Sequence, residues 1–229
     1  VSTDHKQALG WLRKAASKGS ADAEYRLALM LSRGDGVRRN TREAFGGFSK
    51  AAAKGQPDAM LALGLIYTSS TRTRTDANAG LEWIRKSAAT GHVPAQLALA
   101  GMLEQGLGAP VDIDEAARLY RLAAETGSPE GQFSFATMLE YGRGVERDEA
   151  QAVDWYRKAA RQGHALAQTN LGAMLDGGRG VPRSARQAVA WFRRAAESGL
   201  DLAQLNLALA LETGNGLAAD PKEAAHWYR

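Results

Sequence analysis

Four histidines, a recurring Gly-x-Gly and a surplus of arginine are the parts of this sequence with the most evident capacity for chemistry. Histidine ligates metals and moves protons near neutral pH, and paired glycines let backbone N–H groups approach a phosphate. The histidines are His5, His92, His164 and His226. The clearest glycine pairs are Gly34 with Gly36, Gly142 with Gly144 and Gly178 with Gly180, each followed by valine. No His-Glu-x-x-His, Gly-x-Ser-x-Gly or Gly-x-x-x-x-Gly-Lys-Ser/Thr occurs in the chain. There is no cysteine, which removes disulfides, thiolate metal sites and a thiol nucleophile while fitting both a reducing cytoplasm and an oxidising periplasm. A formal charge of +4 admits a nucleic-acid partner in principle. Which of these groups can act together depends on the elements that carry them.

The elements are set by a period. WYRKAARQG (155–163) has counterparts in WLRKAASKG (11–19), GFSKAAAKG (47–55), WIRKSAATG (83–91), LYRLAAETG (119–127) and WFRRAAESG (191–199). The closing glycines Gly19, Gly55, Gly91, Gly127, Gly163 and Gly199 stand 36 residues apart at every step. A fixed period of this length marks an array whose units bury their apolar faces by stacking on neighbours. Counting from each closing glycine, positions 4, 8 and 12 (Ala167, Leu171 and Leu175, for example) recur at helical spacing and define a helix A. Positions 25, 28, 29 and 32 (Ala152, Trp155, Tyr156, Ala159) form an i, i+3, i+4, i+7 stripe and define a helix B. The Gly-x-Gly turns fall between A and B. Pro57, Pro94 and Pro129 sit near the start of helix A, and Pro110, Pro182 and Pro221 in the A-to-B connection.

With helices assigned, most of the chemistry disperses. The Gly-x-Gly turns follow helices rather than strands, so they are helix caps before they are phosphate loops. His92 and His164 both follow a closing glycine but lie two repeats apart, roughly 35 Å at helix-packing distances, too far for one metal; they read as exposed helix-start residues. Arginine fills position 30 at Arg13, Arg85, Arg121, Arg157, Arg193 and Arg229, near the negative end of the helix dipole. That ladder steps by roughly 20 Å per repeat, far coarser than duplex phosphates, which disfavours nucleic acid. Glu104, Glu140, Asp176 and Glu212 recur at position 13 and are expected either to pair with cations of neighbouring repeats or to form a solvated face. All five tryptophans (Trp11, Trp83, Trp155, Trp191, Trp227) occupy position 28 and read as packing residues. Two departures stand out. In TSSTRTRTD (68–76), Ser70 and Arg72 replace the paired glycines, which predicts another turn conformation. Gly46 and Gly47, the latter in the tryptophan slot, predict a soft joint or a gap near Phe45 and Phe48.

The unit AQTNLG (167–172), GRGV (178–181) and AVDWYRKAARQG (152–163) resembles the sel-1-like repeat, a relative of the tetratricopeptide repeat. The resemblance runs through nearly the whole chain. It implies an all-α, right-handed α-solenoid: a partial repeat (helix B) at 1–19, full repeats at 20–55, 56–91, 92–127, 128–163 and 164–199, and an incomplete one at 200–229. The array is expected to be truncated at both ends, with flanking repeats or domains in the native protein. It further implies a non-enzymatic adaptor, of the kind bacterial members provide in signalling, envelope assembly or host interaction, and favours a periplasmic or secreted location. A branch of the family linked to β-lactams carries cysteine pairs that this chain lacks, which disfavours a small-molecule-binding or hydrolytic role. A self-assembling spacer is the remaining alternative. No catalytic residue, metal ligand or cofactor is expected, and no apolar run spans a bilayer. The partner is expected to be a protein or peptide. By analogy with related repeats it would meet positions 3, 7, 10 and 14 of helix A on a concave face: Gln105, Glu130, Ser134, Thr137, Tyr141, Asn170 and Asn206. Asn170 and Asn206 belong to the Ala-Gln-x-Asn pattern, and a structural hydrogen bond between helices is the competing role for both.

Overall fold

The computed structural model describes the backbone of residues 3–69 and 74–228, with side chains for 7–69 and 77–228. Every element among them is helical. Helices A are α2 (Ala21–Arg33), α4 (Pro57–Ser69), α6 (Val93–Gln105), α8 (Pro129–Tyr141), α10 (Ala165–Gly177) and α12 (Asp201–Thr213), each starting 36 residues after the last. Helices B are α1 (Thr3–Ser17), α3 (Thr41–Ala53), α5 (Arg74–Ala89), α7 (Ile113–Glu125), α9 (Glu149–Arg161), α11 (Ala185–Glu197) and α13 (Pro221–Trp227). Two compact units contain them, Val1–Asp112 with α1 to α6 and Ile113–Arg229 with α7 to α13. Ser70 and Arg72, in the irregular turn, lie outside the described residues.

Helix ends follow the sequence closely. Ser20, Ser128 and Asp148 accept backbone N–H bonds three residues on, satisfying donors that a helix start leaves unpaired. Gly142 ends α8 at φ 63°, in the left-handed region, and its N–H returns to the carbonyl of Met138. The second glycine of the pair has a separate reason. A Cβ on Gly144 would overlap the carbonyl of Ile113, and Gly180 stands in the same relation to Glu149. Each turn thus rests on the first turn of helix B in the preceding repeat, where a side chain would force the repeats apart.

The core runs between helices A and B. Helix α10 packs on α11, where Leu171 and Leu175 of the one and Phe192 and Ala195 of the other are buried. In helix B the buried ring is at position 29, as Phe48, Tyr120, Tyr156 and Phe192 show. This corrects the reading of the tryptophan slot. Trp83, Trp155, Trp191 and Trp227 are only half-buried, and Trp11 is 67% exposed. One residue turns a helix by about 100°, so position 29 points between the helices while position 28 lies on the flank of the stripe. A cation three residues on covers the tryptophan: Lys158 Nζ lies 3.5 Å from the Trp155 ring centroid, and Lys86 and Arg194 cover Trp83 and Trp191 at 4.8 Å.

Candidate functional site

Side chains that do not enter the core determine what each helix A can touch. In the second unit, α8 carries Glu130, Ser134, Thr137 and Tyr141 at positions 3, 7, 10 and 14. Tyr141 is 63% exposed, and Ser134 and Thr137 are half-buried. Thr137 Oγ1 lies 3.1 Å from the Tyr156 hydroxyl, and Asn170 Nδ2 on α10 donates to the same oxygen at 3.1 Å. Two of the named residues therefore meet through a buried ring of helix B. Tyr156 in turn donates to Glu140 Oε2 at 2.7 Å. Burial is the main cause that pushes its phenol well above its ordinary range, so it remains a proton donor.

The acids of position 13 reach into the neighbouring repeat, Glu140 to a cation as expected and Asp176 to an amide. Glu140 is 3% exposed, and its Oε1 accepts from Arg179 at 2.8 Å. Asp176 accepts from Asn215 Nδ2 at 2.9 Å. Arg179 and Asn215 both sit inside the Gly-x-Gly turn of the following repeat, so each junction is tied by an acid and a turn residue 39 positions on. The Arg157 guanidinium instead pairs with Asp154 on its own helix, and Arg193 with Glu223 on α13, helix B of the next repeat.

His164 is not an exposed helix-start residue. Its side chain is 14% exposed, Nδ1 accepts from the N–H of Ala167, and Nε2 lies 2.9 Å from Glu130 Oε2. The ring stacks on Phe133 at 4.7 Å between centroids. His92, 15% exposed, repeats the contact with the acid, Nε2 lying 3.1 Å from Asp58 Oδ1, while its Nδ1 faces Ser87 Oγ at 3.2 Å. Histidine at position 1 is thus a junction residue, holding the acid at position 3 of the preceding helix A. Glu130 is accordingly committed to His164 as well as surface-exposed.

Asn206 lines a cavity of about 330 Å³ between α10, α11 and α12, with Asp176, Phe192, Leu209 and Asn215. Gln105 is exposed at the end of α6 in the first unit. The named residues were all polar or aromatic, yet the same positions carry leucines: Leu166 and Leu202 at position 3 and Leu209 at position 10, exposed by 42%, 51% and 45%. The position rule contained them already. Solvent-facing leucines at two fixed positions of consecutive helices A were the signal.

Within the second unit, a glycine turn seated on the previous repeat and an acid tied 39 residues on recur from repeat to repeat. A family model, the Sel1 repeat, matches residues 1–20, 21–56, 57–92, 93–128, 129–164, 165–200 and 201–229. The chain belongs to the Sel1 repeat family. Its architecture is the all-α solenoid of paired helices typical of Sel1 proteins, whose repeats generally serve as scaffolds for protein interaction. Among solved structures it is similar to a protective antigen of uropathogenic Escherichia coli, with a TM-score of 0.90 and 34% identity over 96% of this chain and 47% of that one. It is likewise similar to a Sel1 repeat protein of Oxalobacter formigenes, with a TM-score of 0.81 and 34% identity over 95% of this chain and 63% of the other. The chain thus spans about half to two thirds of these relatives. An immunity protein of Pseudomonas aeruginosa shares the fold at 21% identity and a TM-score of 0.55. No curated protein matches the sequence. No helix among the described residues is long and apolar enough to cross a membrane.

Proposed function

We propose that this Sel1 chain is a non-enzymatic adaptor that holds a protein or peptide partner against the outward face of its helices A, with the second unit supplying the apolar anchor. The observation that carries this reading is the change of character along one set of positions. Glu130, Thr137 and Tyr141 on α8 give way to Leu166 on α10 and to Leu202 and Leu209 on α12, leaving leucines in water beside hydrogen-bonding groups. Exposed leucine and tyrosine flanked by polar side chains is the composition of an interface core with its rim. Gln105, Ser134, Asn170 and Asn206 are polar contacts in this reading, which extends to a partner in the envelope or outside the cell.

Photo-crosslinking residues at Leu202 and Tyr141, with a control at Arg186 on α11, would identify the partner by its attachment to the first two only. Against that purified partner, Leu202→Glu with Leu209→Glu should weaken binding at least tenfold, since two anchors at about 1–2 kcal/mol each are lost. The melting temperature should move little because both side chains are solvent-facing. Unchanged affinity would overturn the assignment of this face.

A further inference from the structure

At two repeat positions the second unit matches its arginines with carboxylates of its own. At position 30, Arg121, Arg157 and Arg193 pair with Glu125, Asp154 and Glu223. At position 20, Arg147 and Arg183 pair with Glu149 and Asp176. The start of the chain keeps the cations and changes the partners. Arg13 holds position 30, but Ser17 and Gly10 stand in place of Glu125 and Asp154. Arg39 holds position 20, with Thr41 and Ser32 in place of Glu149 and Asp176. Arg38 is an addition, at a position where the last four repeats have Pro110, Glu146, Pro182 and Ala218.

These three arginines come together. Arg13 of α1, with Arg38 and Arg39 of the turn between α2 and α3, lines a hollow of about 480 Å³ whose apolar wall is Leu31 and Val37. All three are exposed, and none has a hydrogen-bond or ion-pair partner among the described residues. One carboxylate is present in the lining, that of Glu43, the counterpart of Glu223. It serves the cap of α3: Asn40 Nδ2 donates to its Oε2 at 2.9 Å, while its backbone N–H donates to Asn40 Oδ1. Other acids of this region are engaged elsewhere, Asp22 with Arg26 and Glu24 with Lys54. Residues 7–54 hold ten lysines and arginines against four acids, so no surrounding negative field offsets the hollow. Three guanidinium groups around one committed carboxylate attract a polyanion.

We infer that this hollow binds an acidic protein segment, a run of neighbouring Asp or Glu side chains that supplies in trans the carboxylates which the second unit supplies in cis. A guanidinium takes a carboxylate through two parallel N–H donors, and three of them on two elements suit several spaced carboxylates better than one point charge. Duplex nucleic acid would need the cations to continue along the array, whereas the same positions of the second unit are already neutralised. The site belongs to the first unit and to a turn, not to the outward face of helices A, so either assignment can fail alone.

The test titrates the whole chain with fluorescein-labelled hexaglutamate at low salt, read by anisotropy. Binding should saturate and disappear in about 1 M salt. Arg13→Gln, Arg38→Gln and Arg39→Gln together should weaken it about tenfold, as expected of three solvent-facing pairs. Lys14→Gln, Lys18→Gln and Arg33→Gln together remove the same charge from the same region outside the hollow and should change affinity by less than about twofold. Ser17→Glu with Thr41→Glu keeps every arginine and restores the missing carboxylates at two exposed sites; it should weaken binding as much as the first triple variant. Absence of saturable binding, equal losses in the two triple variants, or wild-type affinity in the Ser17→Glu, Thr41→Glu variant would overturn the proposal. So would duplex DNA or phosphatidylglycerol vesicles that bind more tightly than the peptide and lose that binding in the first triple variant, since the hollow would then serve phosphates.

Discussion

Two repeats place an aromatic ring at the same point of helix B and surround it differently. Tyr156 is fully buried, and its hydroxyl is held by Glu140, Thr137 and Asn170. Phe48 is 4% exposed and packs against Tyr25, Leu27, Val37, Ala62 and Ile66, with Ser32, Leu29 and Ala62 at the positions of the three polar partners. Both solutions satisfy the fold. The comparison shows that the apolar stripe specifies the repeat, while the polar network is an addition requiring residues from both helices A that flank the ring. Such a network is costly to break singly, because each partner removed strands another in a dry site.

Exchanging the two rings tests this directly. Tyr156→Phe should cost about 2–3 kcal/mol, since Glu140 Oε2 loses its donor while remaining buried. Hydrogen exchange should show the loss in α8, α9 and α10 first. A change below a few tenths of a kcal/mol would mean that Arg179 alone satisfies Glu140. The reverse exchange, Phe48→Tyr, is expected to cost about 1–2 kcal/mol, because the hydroxyl enters a site without a carboxylate or amide to receive it. A neutral result in urea unfolding would show that Phe48 can swing its ring edge to water.

A third repeat lies between these extremes. Phe192 has Asp176 and Asn206 at the acid and asparagine positions but Ala173 in place of threonine, and these residues line the cavity of about 330 Å³. Asn206 therefore stands where Asn170 does, beside a ring that carries no hydroxyl. Phe192→Tyr should add one or two hydrogen bonds in space already available and raise stability by about 1 kcal/mol. Destabilisation would mean that the Asp176–Asn215 contact, at 2.9 Å, leaves no acceptor free.

The sequence carried the period, both helices, the turns and their glycines, because these depend on residues within one repeat. It was less informative where partners come from the next one. The pairing of Glu140 with Arg179 spans 39 positions and that of His164 with Glu130 spans 34, distances over which neither helical periodicity nor charge order gives a register. The tryptophan slot misled for a different reason: periodicity locates a stripe but not its centre, and a ring on the flank recurs as faithfully as one inside. The outward leucines were legible from the position rule. Polar side chains are the more familiar sign of a binding face, and Leu202 in water is the less expected observation.

The smallest expected effect concerns a junction made at the surface instead of around a ring. Arg193 on α11 pairs with Glu223 on α13, whose Oε1 also lies 3.4 Å from the Trp227 indole nitrogen. The hydrogen bond from Arg193 holds the Glu223 carboxyl below its ordinary value of 4.5. A carboxyl whose pKa is lower folded than unfolded contributes stability that is complete above the unfolded value and lost as pH falls through the folded one. The protection factors of α13 amides should accordingly be level at neutral pH and decline below about pH 4.5. Glu223→Gln should remove that decline while lowering protection slightly throughout the neutral range. Because both groups are about a third exposed, the pair is screened, and the decline should shrink in 1 M salt. Parallel pH profiles for wild type and variant would show that this junction depends on apolar packing alone, as the Phe48 repeat does.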